Sequence, residues 1–379
     1  MLPLVEQPTT GGFQLSASIV AMRVLQFVAA NRWTGAAATA LQLAEALRDA
    51  GVECEFAYRP GRNLEQRLQG LPWCHPVLAK ERSIGQVRAA VDRVRRLSSG
   101  FDLVHVHLPH DHLLARMALK GSPTPLVRSF HHMGHLRADP YHRWLLRGTA
   151  GVGLANSAMP TLVVRVPALR GVPVRVLPVA LERRFLSGGA REAGRGRLGI
   201  PPDAVVAGTI GKLDRSRGQD LFLRALAASP GVHGLVIGKG PYETALRKLA
   251  HALGVEHRLA FAGYVEEGLE DLYAAMDLFV FPAAGSDHAH RAIAEASACG
   301  VPTVAADLPG VRDLVEPGVT GDLYPATDAA ALAVLMAGWT RDPARRCGAG
   351  ETAAARARTL LTPERLAGTA LDLYATTRV

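Results

Sequence analysis

Twice along this chain, short apolar runs of strand length alternate with helical patterns, and a cluster of glycine and proline separates the two series. The first series has strand-like runs at Arg23–Val28, Val104–His107, Leu126–Ser129 and Val152–Ala155. Helical patterns fill Ala36–Ala50, which ends at Gly51, and Ser83–Leu97. The second series has runs at Val205–Ile210, Leu235–Ile237, Leu259–Ala262, Leu278–Phe281, Thr303–Ala305 and Gly321–Tyr324. Such alternation predicts an α/β protein with parallel sheets covered on both faces. Two series predict two Rossmann-like, doubly wound domains facing a central cleft, with ligands at the carboxyl ends of the strands. The break falls where Pro178, Gly188, Gly189, Gly194, Gly196, Pro201 and Pro202 gather. The expected divisions are a flexible extension at 1–21, a first domain at 22–182, a second at 183–362, and a closing helix at 363–379 able to cross back to the first domain. Residues 1–21 lack periodicity, so Met22 stands as a candidate start of the folded chain. No tandem repeat of solenoid period is present.

With 379 residues, 48% of them hydrophobic and 20% charged, the chain is long and apolar enough for two packed cores. No apolar run approaches the length of a membrane span, and the N-terminus lacks the basic region of a signal peptide. Cys54, Cys74, Cys299 and Cys347 are scattered without a CxxC pair, which fits reduced thiols in a cytoplasmic protein. The net charge of +9 is uneven. Residues 22–182 carry 21 Lys+Arg against 11 Asp+Glu, whereas residues 183–379 carry 22 of each. That field favours an acidic partner near the first domain. Zinc-finger spacing, aromatic RNP patterns and GXXG loops are absent, so no nucleic-acid partner is expected.

Chemistry concentrates in three strand-to-helix turns of the second half. In Phe281-Pro-Ala-Ala-Gly-Ser-Asp-His-Ala-His-Arg-Ala-Ile-Ala-Glu, a strand gives way to a loop and then a helix capped by Ser286 or Asp287. Asp287 lies in the loop and Glu295 about two turns into the helix, where carboxylates accept hydrogen bonds from sugar and ribose hydroxyls. Amides at the helix start, around Ala292 and Ile293, suit a diphosphate. A capped helix with a surface glutamate satisfies the same spacing. In Gly208-Thr-Ile-Gly-Lys-Leu-Asp-Arg-Ser-Arg-Gly, Lys212 and Arg217 bracket a turn and could neutralise a leaving diphosphate; a solvated basic turn reads the same way. Gly238-Lys-Gly-Pro adds a third turn on that edge.

Together these segments resemble the GT-B-fold retaining glycosyltransferases often called family 4, over nearly all of residues 22–377. The resemblance implies that Asp287 meets the transferred sugar and Glu295 the ribose of a nucleotide-sugar donor. The first acid of that pair is usually Glu. It also implies that Lys212 and Arg217 hold the diphosphate, with the usual Arg and Lys exchanged. The run Phe261-Ala-Gly263 implies that Tyr264 and Val265 meet the base. In the first half, Trp33-Thr-Gly35-Ala-Ala matches the family's glycine loop, placing Gly35 against the donor phosphates. Asp102-Leu-Val-His-Val-His107 matches its D-x-x-H-x-H strand, and Arg128-Ser-Phe-His131 the strand that brings a histidine, here His131, to the reacting sugar. Val176-Leu-Pro178…Phe185 matches the inter-domain hinge.

The implied reaction is metal-independent and cofactor-free: a sugar moves from a nucleoside diphosphate to an acceptor hydroxyl with retention, in cell-surface glycan or glycolipid synthesis. His131 and Asp287 are the expected catalytic residues, and an acidic or lipid-linked acceptor at the inner face of the membrane is the expected partner. Other classes remain open on sequence: a nucleotide-sugar epimerase, a non-catalytic nucleotide-sugar-binding protein, and a metal hydrolase. The last is motivated by His105-Val-His-Leu-Pro-His-Asp-His112, which misses an H-x-H-x-D-H pattern because Pro109 replaces the acid. In Ser83–Leu97, an apolar stripe of Ile84, Val87, Val91, Val94 and Leu97 faces away from Arg88, Arg93, Arg95 and Arg96. It reads as a helix packed on its sheet, or as a basic edge for anionic lipid.

Overall fold

The computed structural model describes residues 22–30, 34–77, 83–282 and 290–377; the extension expected over 1–21 lies outside them. The first sheet contains β1 (Arg23–Val28), β2 (Glu53–Tyr58), β3 (Cys74–Pro76), β4 (Leu103–Val106), β5 (Leu126–Phe130), β6 (Thr149–Leu154) and β7 (Val174–Val176), in the order β3-β2-β1-β4-β5-β6-β7. The second contains β8 (Val205–Ile210), β9 (Val232–Ile237), β10 (Leu259–Gly263), β11 (Leu278–Phe281), β12 (Thr303–Ala306) and β13 (Gly321–Tyr324), in the order β10-β9-β8-β11-β12-β13. Every described pairing is parallel. In each sheet the order reverses beside the first strand, which opens a crevice between β1 and β4 and another between β8 and β11.

The apolar runs mark the central strands, while β2, β3 and β7 lie outside them. Glu53 and Glu55 break the run in β2. Strand β3 is three residues long and ends in Pro76, as an edge strand can. Strand β7 is the other edge, only partly buried.

Side chains alternate across each strand. From the first sheet, Val24, Phe56 and Leu103 enter a core closed by helix Gly35–Asp49. Leu25, Phe27, Val104 and Val106 enter one closed by helices Ile84–Ser98 and Pro109–Ala118. The helix starts have local causes: Thr34 Oγ1 accepts from Ala37 N at 3.2 Å, and Ser83 Oγ from Gln86 N at 3.3 Å. The stripe expected along Ile84–Ser98 is shorter than its spacing implies. Val91 and Val94 are buried, whereas Ile84, in the first turn, is 81% exposed.

Helix Pro363–Ala375 packs on helix Gly35–Asp49, β6 and β7. Its Leu366, Leu371, Leu373 and Tyr374 complete the first sheet's core. The chain therefore crosses between the halves twice, and the crossings touch, with Leu181 N donating to Leu361 O at 2.9 Å. Arg67 Nη2 pairs with Glu266 Oε1 at 2.6 Å, and Ser157 N donates to Asp313 Oδ2 at 2.9 Å, adding contacts between the halves.

Candidate active site

At the carboxyl edge of the second sheet, glycines lace the strand ends together. Gly211 N donates to Ile237 O at 3.0 Å and Gly238 N to Gly263 O at 2.7 Å. Gly238 has φ 137°, and a Cβ there would lie 1.9 Å from the Gly211 carbonyl oxygen. Only glycine fits that approach. The turn after β8 is fixed from inside by Gln219 Nε2, which donates to Lys212 O at 3.0 Å. It is fixed from outside by Gly218, whose φ is 71° and whose Cα lies too close to Pro282 O for any side chain. The turn is thereby pressed against the end of β11.

Between them opens a cavity of about 250 Å³ lined by Gly211, Lys212, Arg217, Phe281 and Pro282, and by Arg291, Ala292 and Glu295 of helix His290–Ala298. Glu295 is 7% exposed, and both its oxygens are held: Arg291 Nε donates to Oε1 at 2.7 Å and the Tyr273 hydroxyl to Oε2 at 2.8 Å. Burial raises its pKa above the usual carboxylate range, and the Arg291 guanidinium opposes that rise. Arg291 also reaches Glu182 of the crossover, Nη2 to Oε1 at 2.9 Å. Glu182 in turn accepts from Arg184 Nε at 2.8 Å. A chain of ion pairs thus connects the crossover to the cavity wall. The cavity sets Lys212, Arg217 and Arg291 near a helix N-terminus, an arrangement suited to a diphosphate. Each oxygen of Glu295 keeps a lone pair for a further donor such as a ribose hydroxyl.

The cavity thus gathers Lys212, Arg217, Ala292 and Glu295 of the expected residues. Ile293 is fully buried in the core, and Val265 is 8% exposed within it, so neither side chain reaches the cavity. Gly238 acts behind the cavity, through Gly211. Tyr264 stands outside it, 57% exposed, with Lys239 Nζ 5.0 Å from its ring centroid. Gly35 opens its helix in the other half. Asp287 and His288 lie outside the described residues. Sequence reasoning missed Arg291, Tyr273 and Glu182. Only Arg291 left a signal, its i,i+4 spacing to Glu295.

In the first half, His131 directly follows β5 and is 7% exposed. A buried line of hydrogen bonds runs back from it. His131 Nε2 meets His107 Nδ1 at 3.1 Å, and His107 Nε2 meets Gln26 Oε1 at 2.8 Å. Gln26 Nε2 donates to the Tyr374 hydroxyl at 3.1 Å, which meets His105 Nδ1 at 2.7 Å; His105 Nε2 meets Ser129 Oγ at 2.8 Å. With the Gln26 oxygen accepting, His107 donates from Nε2 and accepts at Nδ1, so His131 donates from Nε2. Burial lowers His105 to about 3 and holds His107 well below the usual histidine range, so both rings are neutral. Among the described residues, no three His, Cys, Asp or Glu side chains are grouped to hold a metal ion.

Two family models match the chain: "Glycosyl transferases group 1" over residues 190–356 and "Glycosyltransferase Family 4" over residues 33–158. The D-inositol 3-phosphate glycosyltransferase of Streptomyces avermitilis is 29% identical over 319 residues, covering 74% of this chain and 68% of that one. The phosphatidyl-myo-inositol mannosyltransferase of Mycobacterium leprae is 31% identical over 280 residues, covering 68% and 70%. Matches to several other inositol 3-phosphate glycosyltransferases span less than half of those proteins' length. Among solved structures, Anabaena HepE in complex with UDP superposes with a TM-score of 0.80 at 21% identity, over 93% of this chain and all of that one.

Proposed function

Because this chain belongs to the family 4 glycosyltransferases of the GT-B fold, we propose that it moves a sugar from a nucleoside-diphosphate donor to an acceptor hydroxyl, with retention and without a metal. One observation carries the reading. A cavity at the carboxyl ends of β8 and β11 sets two cationic side chains of a turn opposite a buried carboxylate two turns into a helix. Lys212 and Arg217 stabilise the departing diphosphate. Glu295, steadied by Arg291 and Tyr273, takes the ribose hydroxyls. His131 contributes from the first half, with its ring orientation set by His107. Asp287 orients the sugar.

HepE is described in complex with UDP and with UDP-glucose, which makes a uridine nucleotide the first donor to try. The names of the two relatives specify acceptors that carry phosphate. With the basic excess of residues 22–182, they favour an acidic acceptor met at the cytoplasmic face of the membrane, in glycolipid or surface-glycan synthesis.

A thermal-shift screen of UDP-, GDP- and ADP-sugars tests the donor, because a bound ligand raises apparent stability. One base should stand out, and the anomeric proton of the transferred sugar should show retention by NMR. Activity should survive EDTA. Epimerised donor without an acceptor, binding without turnover, or loss of activity on chelation would each replace this reading with a rival class.

A further inference from the structure

The polar line behind His131 has a sense. Its members, Ser129, His105, Tyr374, Gln26, His107 and His131, are all buried. With the Gln26 oxygen toward His107, every hydrogen bond runs the same way. His131 Nε2 donates to His107 Nδ1, His107 Nε2 to Gln26 Oε1, and Gln26 Nε2 to the Tyr374 hydroxyl. Tyr374 then donates to His105 Nδ1, and His105 Nε2 to Ser129 Oγ. Burial keeps His105 and His107 neutral, so neither ring donates at both ends and breaks the run.

The opposite sense would satisfy the same buried groups, with Ser129 donating to His105 and each bond reversed back to His131. Satisfaction alone therefore does not choose between the two, but they differ at His131. In the observed sense a neutral His131 carries its proton on Nε2 and a lone pair on Nδ1; in the other these are exchanged. The hydroxyls reverse by rotating and the imidazoles by changing tautomer. Gln26 alone must turn its amide end for end, because the two ends are different atoms. It is fully buried, and the Tyr374 hydroxyl holds its nitrogen. The His107 ring is stacked on His105 and on His131, with centroids 4.5 and 5.3 Å away, which leaves it little freedom to flip.

We propose that Gln26, held by Tyr374 of helix Pro363–Ala375, is a positioning residue for sugar transfer. It fixes the sense of the line and, through His107, makes Nδ1 of His131 an acceptor for a hydroxyl of the bound sugar. This role rests on the reading above that His131 meets the sugar.

The test is NMR of the full chain with nitrogen-labelled histidine at about pH 8, where couplings to the ring protons read which nitrogen is protonated. His105, His107 and His131 should each carry the proton on Nε2. Gln26→Met, of similar size, removes the acceptor of His107. His107 should then move its proton to Nδ1 and donate to His131, whose own proton moves to Nδ1 in turn. Tyr374→Phe lets the amide turn, and both tautomers of His107 and His131 should appear. Leu366→Ala, in the same helix and core, should destabilise the fold yet leave all three rings protonated at Nε2. In Gln26→Met, kcat/KM for the nucleotide-sugar should fall about tenfold, the effect of one lost hydrogen bond. Affinity for UDP, GDP or ADP, whichever the donor screen selects, should hold. Below its melting temperature, Leu366→Ala should keep both. Protonation of His107 at Nδ1 in the native chain, the tautomer shift appearing in Leu366→Ala, or a shift without loss of kcat/KM would overturn the proposal. A native chain that transfers no sugar would sink the activity reading, whereas tautomers unmoved by Gln26→Met in an active chain would sink only this one.

Discussion

Glu295 is a buried acid with both oxygens already engaged, and its usefulness depends on staying ionised there. Glu295→Gln removes the charge that Arg291 faces and that a ribose would meet. Donor affinity should fall by roughly 10- to 150-fold, the cost of one hydrogen bond to a charged group, about 1.5–3 kcal/mol. Isothermal titration measures it, and unchanged affinity would remove Glu295 from the donor site. A second residue-scale effect concerns acid. His105, His107 and His112 are held neutral by burial, His105 at about 3. Below about 6.5 the unfolded chain binds protons that the folded chain refuses, so their contribution is full above that pH and lost on the way down to 3. Asp111, raised by burial to about 6, acts oppositely: the folded form favours its protonated state, and that benefit is lost as pH rises through 6. The three buried histidines outnumber the two buried carboxylates raised in this way, Asp111 and Glu295, so melting temperature should fall between pH 7 and 5. A flat profile would show that one or more of these histidines is not neutral.

At the scale of elements, the line through Gln26 depends on a helix from the far end of the chain. Tyr374→Phe keeps the ring but leaves Gln26 Nε2 and His105 Nδ1 without their partner. Denaturant unfolding should show a loss of about 1–3 kcal/mol, the cost of buried groups left unsatisfied. Gly238→Ala should cost at least as much, because a methyl cannot fit beside the Gly211 carbonyl and φ 137° is foreign to alanine. These two sites also show what sequence can carry. The glycine turn was legible because the turn dictates the residue type locally. The polar line was not, because Gln26 and Tyr374 are 348 positions apart and neither has a pattern of its own. The central strands were legible because parallel sheets bury both faces. The edge strands β3 and β7 were not, because they bury less and are three residues each. Arg291 looked like any solvated helix residue until Glu182 and Glu295 were placed on either side of it.

At the scale of the whole molecule, side chains of the described residues join the two halves at separate points. Arg67–Glu266 and Ser157–Asp313 connect the lobes, while Glu182–Arg291 connects the crossover to the wall of the cavity beside Glu295. Exposed ion pairs are individually weak, so Arg67→Ala with Asp313→Ala should leave the melting temperature nearly unchanged. If lobe closure depends on them, KM should rise severalfold and small-angle scattering of the donor-bound protein should show a larger radius. Identical KM and radius would show that closure is set by the crossover alone.

The returning helix has one more consequence, for synthesis. Helix Pro363–Ala375 supplies Leu366, Leu371, Leu373 and Tyr374 to the core of the lobe translated first. That lobe leaves the ribosome with a gap in its interior, and the gap is filled only after the whole second lobe has been made. The second lobe has its sheet complete by Tyr324 and its last packing helix by Leu360. The usual vectorial order, in which the first-made domain folds first, is therefore inverted here. Nascent chains arrested just after residue 360 should resist protease in their second half and yield in their first, and a message truncated there should make a protein with a folded second lobe and an unfinished first one.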